Sequence, residues 1–292
     1  MSDLRPVTEA DLPALSRRLT AEFPHDGYTI DNLHWKIQRD PNYDPELSLL
    51  IPGGQGVAAA VLGALRGTNG FIKVITVRPD TAQADLLLAE VEERLRQRGA
   101  TELHATGSSP SYFLPGVDPT DTLTLRFYLE HGFERVKETF NMTCDLTTTA
   151  LDTTADVERL AAAGLRVARL GPADTGALER FMLAFFSPGW LIETLWALDF
   201  TPVPCHVVWD GEQIVAFAAA ECTNPSWFGP MGTAPSHRRH GLGRVLLLRC
   251  LDDLRLAGYR QAQIGWVGPL GFYARHCGAQ VSRVFWQLRK SL

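Results

Sequence analysis

Three short stretches of this 292-residue chain occur twice, in the same order, and that repetition narrows the architecture more than any single residue does. Leu4-Arg5-Pro6-Val7 returns as Leu165-Arg166-Val167-Ala168, Thr76-Val77-Arg78-Pro79 as Gly232-Thr233-Ala234-Pro235, and Phe127-Tyr128-Leu129-Glu130-His131 as Phe272-Tyr273-Ala274-Arg275-His276. Ordered self-similarity marks one structural unit used twice, and the length suits two ordinary domains. The first is placed over residues 1–146 and the second over 165–292. Residues 147–164, rich in Thr, Ala and Asp, read as a linker with a short helix near Ala155 to Ala163.

Hydrophobic spacing fills in both halves. In the first, a strand at Leu4 to Thr8 leads to a helix over Asp11 to Glu22, apolar at Leu12, Leu15 and Leu19, and a second over Ile30 to Arg39. A turn at Pro41 to Pro45 precedes strands at Leu47 to Ile51, Val57 to Leu65 and Phe71 to Val77. A helix over Asp80 to Arg98 carries Ala84, Leu87, Leu88, Val91 and Leu95 on one face and is capped by Gly99. A strand (Thr101 to Ala105), a loop (107–120), a short helix (Leu123 to Glu130) and one strand or a pair of strands over Glu134 to Leu146 complete it. The loop's aromatics serve equally as a structural plug or a substrate wall. The second half repeats the order: strand Leu165 to Leu170, helices Asp174 to Phe185 and Trp190 to Leu198, then strands Cys205 to Trp209 and Gln213 to Glu221 joined at Asp210-Gly211. Strand Trp227 to Thr233, helix Gly243 to Ala257, strand Gln261 to Trp266, helix Gly271 to His276 and strand Val281 to Lys290 follow. The predicted class is α/β (α+β), each copy a mixed twisted sheet with helices on both faces.

The stretch after Trp227 holds the chemistry. A short extended run meets a tight basic loop with Arg238, Arg239, His240, Gly241 and Gly243, and a long helix begins at once. Glycines let the backbone approach a ligand closely. The first N–H groups of a helix lack internal partners, and with the helix dipole and arginines they suit a phosphate or pyrophosphate. A P-loop is excluded because Arg244 and Val245 follow Gly243 where Lys and Ser/Thr are needed, and a dinucleotide fingerprint because Leu246 stands at its third glycine.

Arg238-Arg239-His240-Gly241-Leu242-Gly243 resembles motif A of the GCN5-related N-acetyltransferase (GNAT) family, whose pattern is Arg/Gln-x-x-Gly-x-Gly/Ala. The element order of both halves is similar to that family's fold, a duplicated acyl-CoA N-acyltransferase fold. The resemblance implies that residues Arg238 to Arg244 cradle the pyrophosphate of acetyl-CoA, and that Met231, Gly232 and Thr233 offer backbone groups to its pantetheine arm. Arg238, Arg239 and Arg244 are the phosphate candidates, at least one of them only decorating the surface, and His237 is left open. The first copy departs from the pattern. Pro79 to Gly99 spans 20 residues against 23 from Pro235 to Gly258, and Asp80-Thr81-Ala82-Gln83-Ala84-Asp85 has neither glycine nor arginine. Asp80 and Asp85 would repel a pyrophosphate, so this copy is expected to be degenerate, packing against the second and shaping the amine pocket. Six of the seven tryptophans, all but Trp35, lie in the second half, in line with a larger aromatic pocket there.

Direct acetyl transfer to an amine needs a proton acceptor, carbonyl polarisation, a donor for the leaving thiolate and fixed geometry. Tyr273 matches the family's tyrosine near the cofactor sulfur, and a phenol with an ordinary pKa of about 10 is protonated at neutral pH; Tyr128 is its structural counterpart in the first copy. Glu221, ending an apolar strand beside the cofactor strand, is the first choice for base, with His276 and His240 behind it. A backbone N–H near Met231 or Gly232 is the expected oxyanion donor. The acceptor is expected to be a small-molecule amine, with a protein amine, a non-catalytic acyl-CoA sensor and an assembly partner as rivals. The net charge of −5 argues against general nucleic-acid binding. No apolar run is long enough for a membrane span, and Met1-Ser2-Asp3-Leu4-Arg5 lacks a signal-peptide core. Five scattered cysteines lack metal-like spacing and read as reduced in a cytoplasmic protein. No metal is expected, and a homodimer is left open.

Overall fold

The computed structural model describes residues 4–54, 56–78 and 81–292. In chain order the elements are β1 (Arg5–Pro6), α1 (Leu12–Glu22), α2 (Ile30–Gln38), β2 (Tyr43–Gly53), β3 (Gly56–Arg66), β4 (Asn69–Ile75), α3 (Thr81–Gln97), β5 (Glu102–Ala105), α4 (Thr122–Glu130), β6 (Glu134–Asp145), α5 (Thr154–Ala162), β7 (Leu165–Arg169), α6 (Thr175–Phe185), α7 (Pro188–Leu195), β8 (Cys205–Asp210), β9 (Gln213–Ala220), β10 (Trp227–Thr233), α8 (Leu242–Leu256), β11 (Gln261–Val267), α9 (Leu270–Cys277) and β12 (Gln280–Ser291). The type and order follow the sequence reading closely. One difference is local: the turn expected over Pro41 to Pro45 is already the start of β2, which opens at Tyr43. Pro79 and Asp80, part of the expected first-copy loop, lie outside the described residues.

The chain forms two compact units, Met1–Thr139 with Val284–Leu292, and Phe140–Arg283. In the first, the strands run β1-β2-β3-β4-β5 and then the end of β12, with only β4 and β5 parallel. In the second they run from the end of β6 through β11-β10-β9-β8-β7, with only β10 and β11 parallel. The closing strand beside each fifth strand therefore comes from the other half of the sequence: Leu288 to Ser291 pair with β5, and Met142 to Asp145 pair with β11. The units do not divide at residues 146 and 165 as expected. Edge pairing is decided between strands far apart in sequence, and no local turn signal records it.

The short helix expected near Ala155 to Ala163 is α5, and residues 147–164, read as a linker, lie in the second unit, with Leu160 1% exposed and Leu151 and Val157 packed on the same apolar cluster.

Each unit buries helices on both sheet faces. In the second, Ala216, Ala218 and Ala220 of β9 face a cluster with Val245 to Leu248, Leu251 and Leu254 of α8, while Phe217 and Ala219 face Leu178, Phe181 and Met182 of α6 and Leu191 of α7. Alternation along one strand thus serves two layers. Each fully buried leucine of α8 contributes roughly 1.5–3 kcal/mol over leaving it exposed. The loop 107–120 of the first unit acts as a plug, because Tyr112 and Phe113 are buried and Phe113 packs on Tyr28 at 5.1 Å between ring centroids.

Candidate active site

The long α8 fixes one end of the site and the parted strands β10 and β11 fix its floor. The two strands pair only at Trp227↔Gln263 and Phe228↔Ile264. Beyond that, each slips against its other neighbour: β10 between Phe228 and Met231, β11 between Ile264 and Val267. Such bulges re-aim a strand. At the second slip Trp266 has φ 49°, a conformation a bulky residue rarely takes and one that concentrates at functional sites.

Which backbone groups the fork exposes follows from register. Ala234 donates its N–H to Val215 O, and Gly232 pairs with Phe217. Alternation then turns the main-chain groups of Gly232 toward β9 and those of Met231 and Thr233 toward the parted side. Of the three strand residues singled out in the sequence, only Met231 and Thr233 present backbone there. Gly232 serves differently: a Cβ on it would lie 2.2 Å from Phe186 Cζ, so the ring of Phe186 rests on its backbone.

The loop after β10 ends in an uncapped helix. Arg239 has φ 71° and Gly241, the residue before α8, φ 79°; Gly241 stands at the N-cap and has no side chain to cap the opening N–H groups of α8. An unfilled helix N-terminus is an anion site. Gly243 keeps the approach open, since a Cβ there would already lie 3.2 Å from Met231 Cε and 3.4 Å from Phe272 Cζ. Leu242 points into the core, 1% exposed, and anchors the turn.

The basic residues divide. Arg238, Arg239 and His240 are exposed, with Arg238 Nε donating to Thr233 O at 3.4 Å. His237 is held by Asp210 at 3.0 Å, and Arg244 is paired with Asp156 of α5. A further cation that the sequence did not signal joins them: Arg159, also on α5, donates to His240 O at 3.2 Å and lies 3.1 Å from where a Cβ on Gly241 would be. Nothing in the sequence of the supposed linker ties it to a loop 81 residues later.

Tyr273 sits on α9, buried, its ring edge-on to Phe228 at 6.1 Å and to Phe272 at 5.1 Å. Burial pushes its phenol well above the usual range, so it keeps its proton. Glu221 lies at the closed end of the fork, where its N–H bonds Trp227 O; Oε1 accepts the Tyr259 hydroxyl at 2.8 Å. Burial and this carboxylate push the Tyr259 phenol up to about 12. Phe228 links the two predicted catalytic residues: Tyr273 packs on it, and its cross-strand partner Ala220 precedes Glu221. The loop of Arg238 to Gly243 is at the far end of β10, roughly 20 Å away along six strand steps. His276 neighbours Arg244 and Arg275; burial and these cations hold its imidazole below the ordinary value.

Glu22 Oε1 accepts the N–H groups of Val77 at 2.5 Å and Arg78 at 3.0 Å. Tyr128, the counterpart of Tyr273, is 1% exposed and edge-on to Phe133.

The residues present therefore fit a phosphorylated thioester carrier in the second unit: an uncapped helix N-terminus, glycines at close approach, exposed arginines and a strand edge with open backbone groups. Comparison with known proteins agrees. Residues 176–279 match the acetyltransferase (GNAT) family model. No curated protein matches the chain. Among solved structures, the GCN5-related glucosamine N-acetyltransferase region of a fungal multi-domain GH3 beta-N-acetylglucosaminidase is similar with TM-score 0.79 and 17% identity, covering 99% of this chain and 38% of that one. This chain thus spans little more than a third of that protein. A GCN5-related N-acetyltransferase from Sphaerobacter thermophilus is similar with TM-score 0.72 and 20% identity, covering 99% and 95% of the two chains. A tandem GNAT protein from the clavulanic acid biosynthesis pathway gives 0.69 and 16%, covering 100% and 98%. At these identities the likeness is one of fold. Among the described residues no helix is long and apolar enough to cross a membrane.

Proposed function

Taking a GNAT acetyltransferase domain over residues 176–279 as the premise, we propose that the second unit moves an acetyl group from acetyl-CoA to the primary amine of a small molecule by direct attack in a ternary complex. The observation that carries this reading is the uncapped N-terminus of α8, set behind Gly241 at φ 79° at the end of the parted β10. The N–H groups of α8 and the side chains of Arg238, Arg239 and Arg159 hold the pyrophosphate. The main-chain groups of Met231 and Thr233 pair with the pantetheine arm, and the Met231 N–H is the donor to the thioester oxygen. When bound, acetyl-CoA supplies an activated acyl carbon and a thiolate leaving group. Tyr273 holds a proton at its hydroxyl for that thiolate, and its buried ring fixes where the proton is given. Glu221 takes the amine's proton at Oε2, while Tyr259 orients the carboxylate through Oε1. The first unit, whose strand-end N–H groups are bonded to Glu22, binds no cofactor in this manner. The five unpaired cysteines suit a reducing, cytoplasmic compartment.

The engagement of Glu221 by Tyr259 favours one second reading, a non-catalytic acyl-CoA sensor, because part of the base is already committed. One comparison tests both. Calorimetry should show CoA binding to the wild type, weakened in R239A. Release of CoA thiol from acetyl-CoA, screened against a panel of amino sugars, amino acids and polyamines, should appear with the wild type and fall in Tyr273→Phe with cofactor affinity kept. Binding without thiol release on any amine supports the sensor, and no CoA binding sinks both.

A further inference from the structure

Phe186 lies between α6 and α7, and its ring occupies the space above the Gly232 backbone: Cζ, Cε1 and Cε2 stand 2.2, 2.5 and 3.0 Å from where a Cβ on Gly232 would be. No residue with a side chain fits at 232 while that ring is in place. The ring is held from three other sides. Trp190 stacks on it at 5.5 Å and 18°, Phe217 meets it edge-on at 5.6 Å, and Phe181 is tilted against it at 5.5 Å. Its backbone is pinned as well, Phe186 N–H donating to Met182 O at 2.7 Å. This is a wall of rings braced by rings, all from one compact unit, standing over the strand between Met231 and Thr233, whose main-chain groups face the parted side.

We propose that Phe186 limits the length of the acyl group this protein accepts. The inference rests on the function proposed above, in which the thioester end of the carrier lies beside Met231. An acyl chain that turns from Met231 toward Gly232 has to displace the Phe186 ring as it lengthens, and close-packed aromatic side chains do not yield without cost. The Phe186 ring itself is apolar, so a methyl group meets it without desolvating a polar partner.

Calorimetry with CoA, acetyl-CoA, propionyl-CoA, butyryl-CoA and hexanoyl-CoA tests this without knowledge of the acceptor. The readout is the ratio of each Kd to that of acetyl-CoA. In the wild type hexanoyl-CoA should bind at least about tenfold more weakly than acetyl-CoA. In Phe186→Ala the ratio should fall to within about threefold. Phe186→Leu, a smaller change that keeps the apolar contact with Trp190, should admit butyryl-CoA and still discriminate against hexanoyl-CoA, and thermal unfolding of both variants verifies that they fold. Equal affinity of the wild type for acetyl-CoA and hexanoyl-CoA overturns the proposal, as does a wild-type hexanoyl-CoA ratio in folded Phe186→Ala. Failure of the wild type to bind CoA itself defeats instead the parent reading, which the CoA arm reports separately.

Discussion

Arg159 and Asp156 make a sharp test because one helix carries two residues expected to move cofactor affinity in opposite directions. Arg159 reaches the loop carbonyl of His240 and the Gly241 backbone, while its side chain stays 52% exposed. A charge-assisted bond to phosphate is worth roughly 1.5–3 kcal/mol when desolvated. At half exposure, with salt screening and side-chain entropy set against it, about 1 kcal/mol remains, or roughly fivefold in Kd. Arg159→Ala should therefore weaken CoA binding about fivefold at low ionic strength and less in high salt, since the Debye length shortens to about 3 Å at 1 M. The helix itself is anchored by Leu160, not Arg159, so its circular dichroism should not change. Asp156 neutralises Arg244 and lies 3.4 Å from Arg159. Asp156→Asn removes the one carboxylate held against these cations and releases both, and should tighten CoA by about two- to fivefold. Titration calorimetry at two salt concentrations measures both variants. A Kd for Arg159→Ala equal to wild type at low salt, or weaker binding by Asp156→Asn, would refute the assignment of α5 to the phosphate site.

Three further outcomes follow from the geometry. Gly241→Ala places a Cβ on a residue at φ 79°, which should cost about 1 kcal/mol in urea unfolding and weaken CoA binding; a neutral effect on both would mean the loop relaxes freely. Leu246→Ala, wholly buried against β9 and β10, should lower stability by about 2–5 kcal/mol, and the urea midpoint reads it. His206 is buried, and burial holds its imidazole below the ordinary value although it donates from Nε2 to Asp253 at 2.8 Å; burial opposes ionisation of Asp253, but His206 and Arg169 still hold that carboxyl below its usual range. Below the unfolded value of about 6.5 the unfolded chain takes up a proton that the folded His206 refuses, so stability should fall as pH drops through 6.5 toward the depressed folded value. His206→Gln should flatten that slope between pH 7 and 5, and an unchanged slope would point to another group.

The loop conformation before α8 could be read without coordinates because its requirements are local. Gly241 takes a left-handed backbone, Gly243 allows a close approach and the helix behind them has an apolar stripe, and each of these is set within a few residues. The doubled element order was legible for the same reason, since hydrophobic period and turn residues are properties of short windows. Glu221 and Tyr273 could be named from position along their elements, but not the Tyr259 bond that engages one of them or the Phe228 ring that connects both.

What folding alone settled are the contacts between residues far apart in the chain. The last strand of each half of the sequence completes the sheet built mainly from the other half, the short helix of the Thr- and Asp-rich stretch brings Arg159 to a loop 81 residues on, and Phe186 covers Gly232. A residue's own identity fixes its backbone preference and its affinity for water, which act over a turn or a strand. Which partner it meets depends on the packing of the whole unit, where many distant pairings compete and the one burying most apolar surface with its hydrogen bonds satisfied prevails.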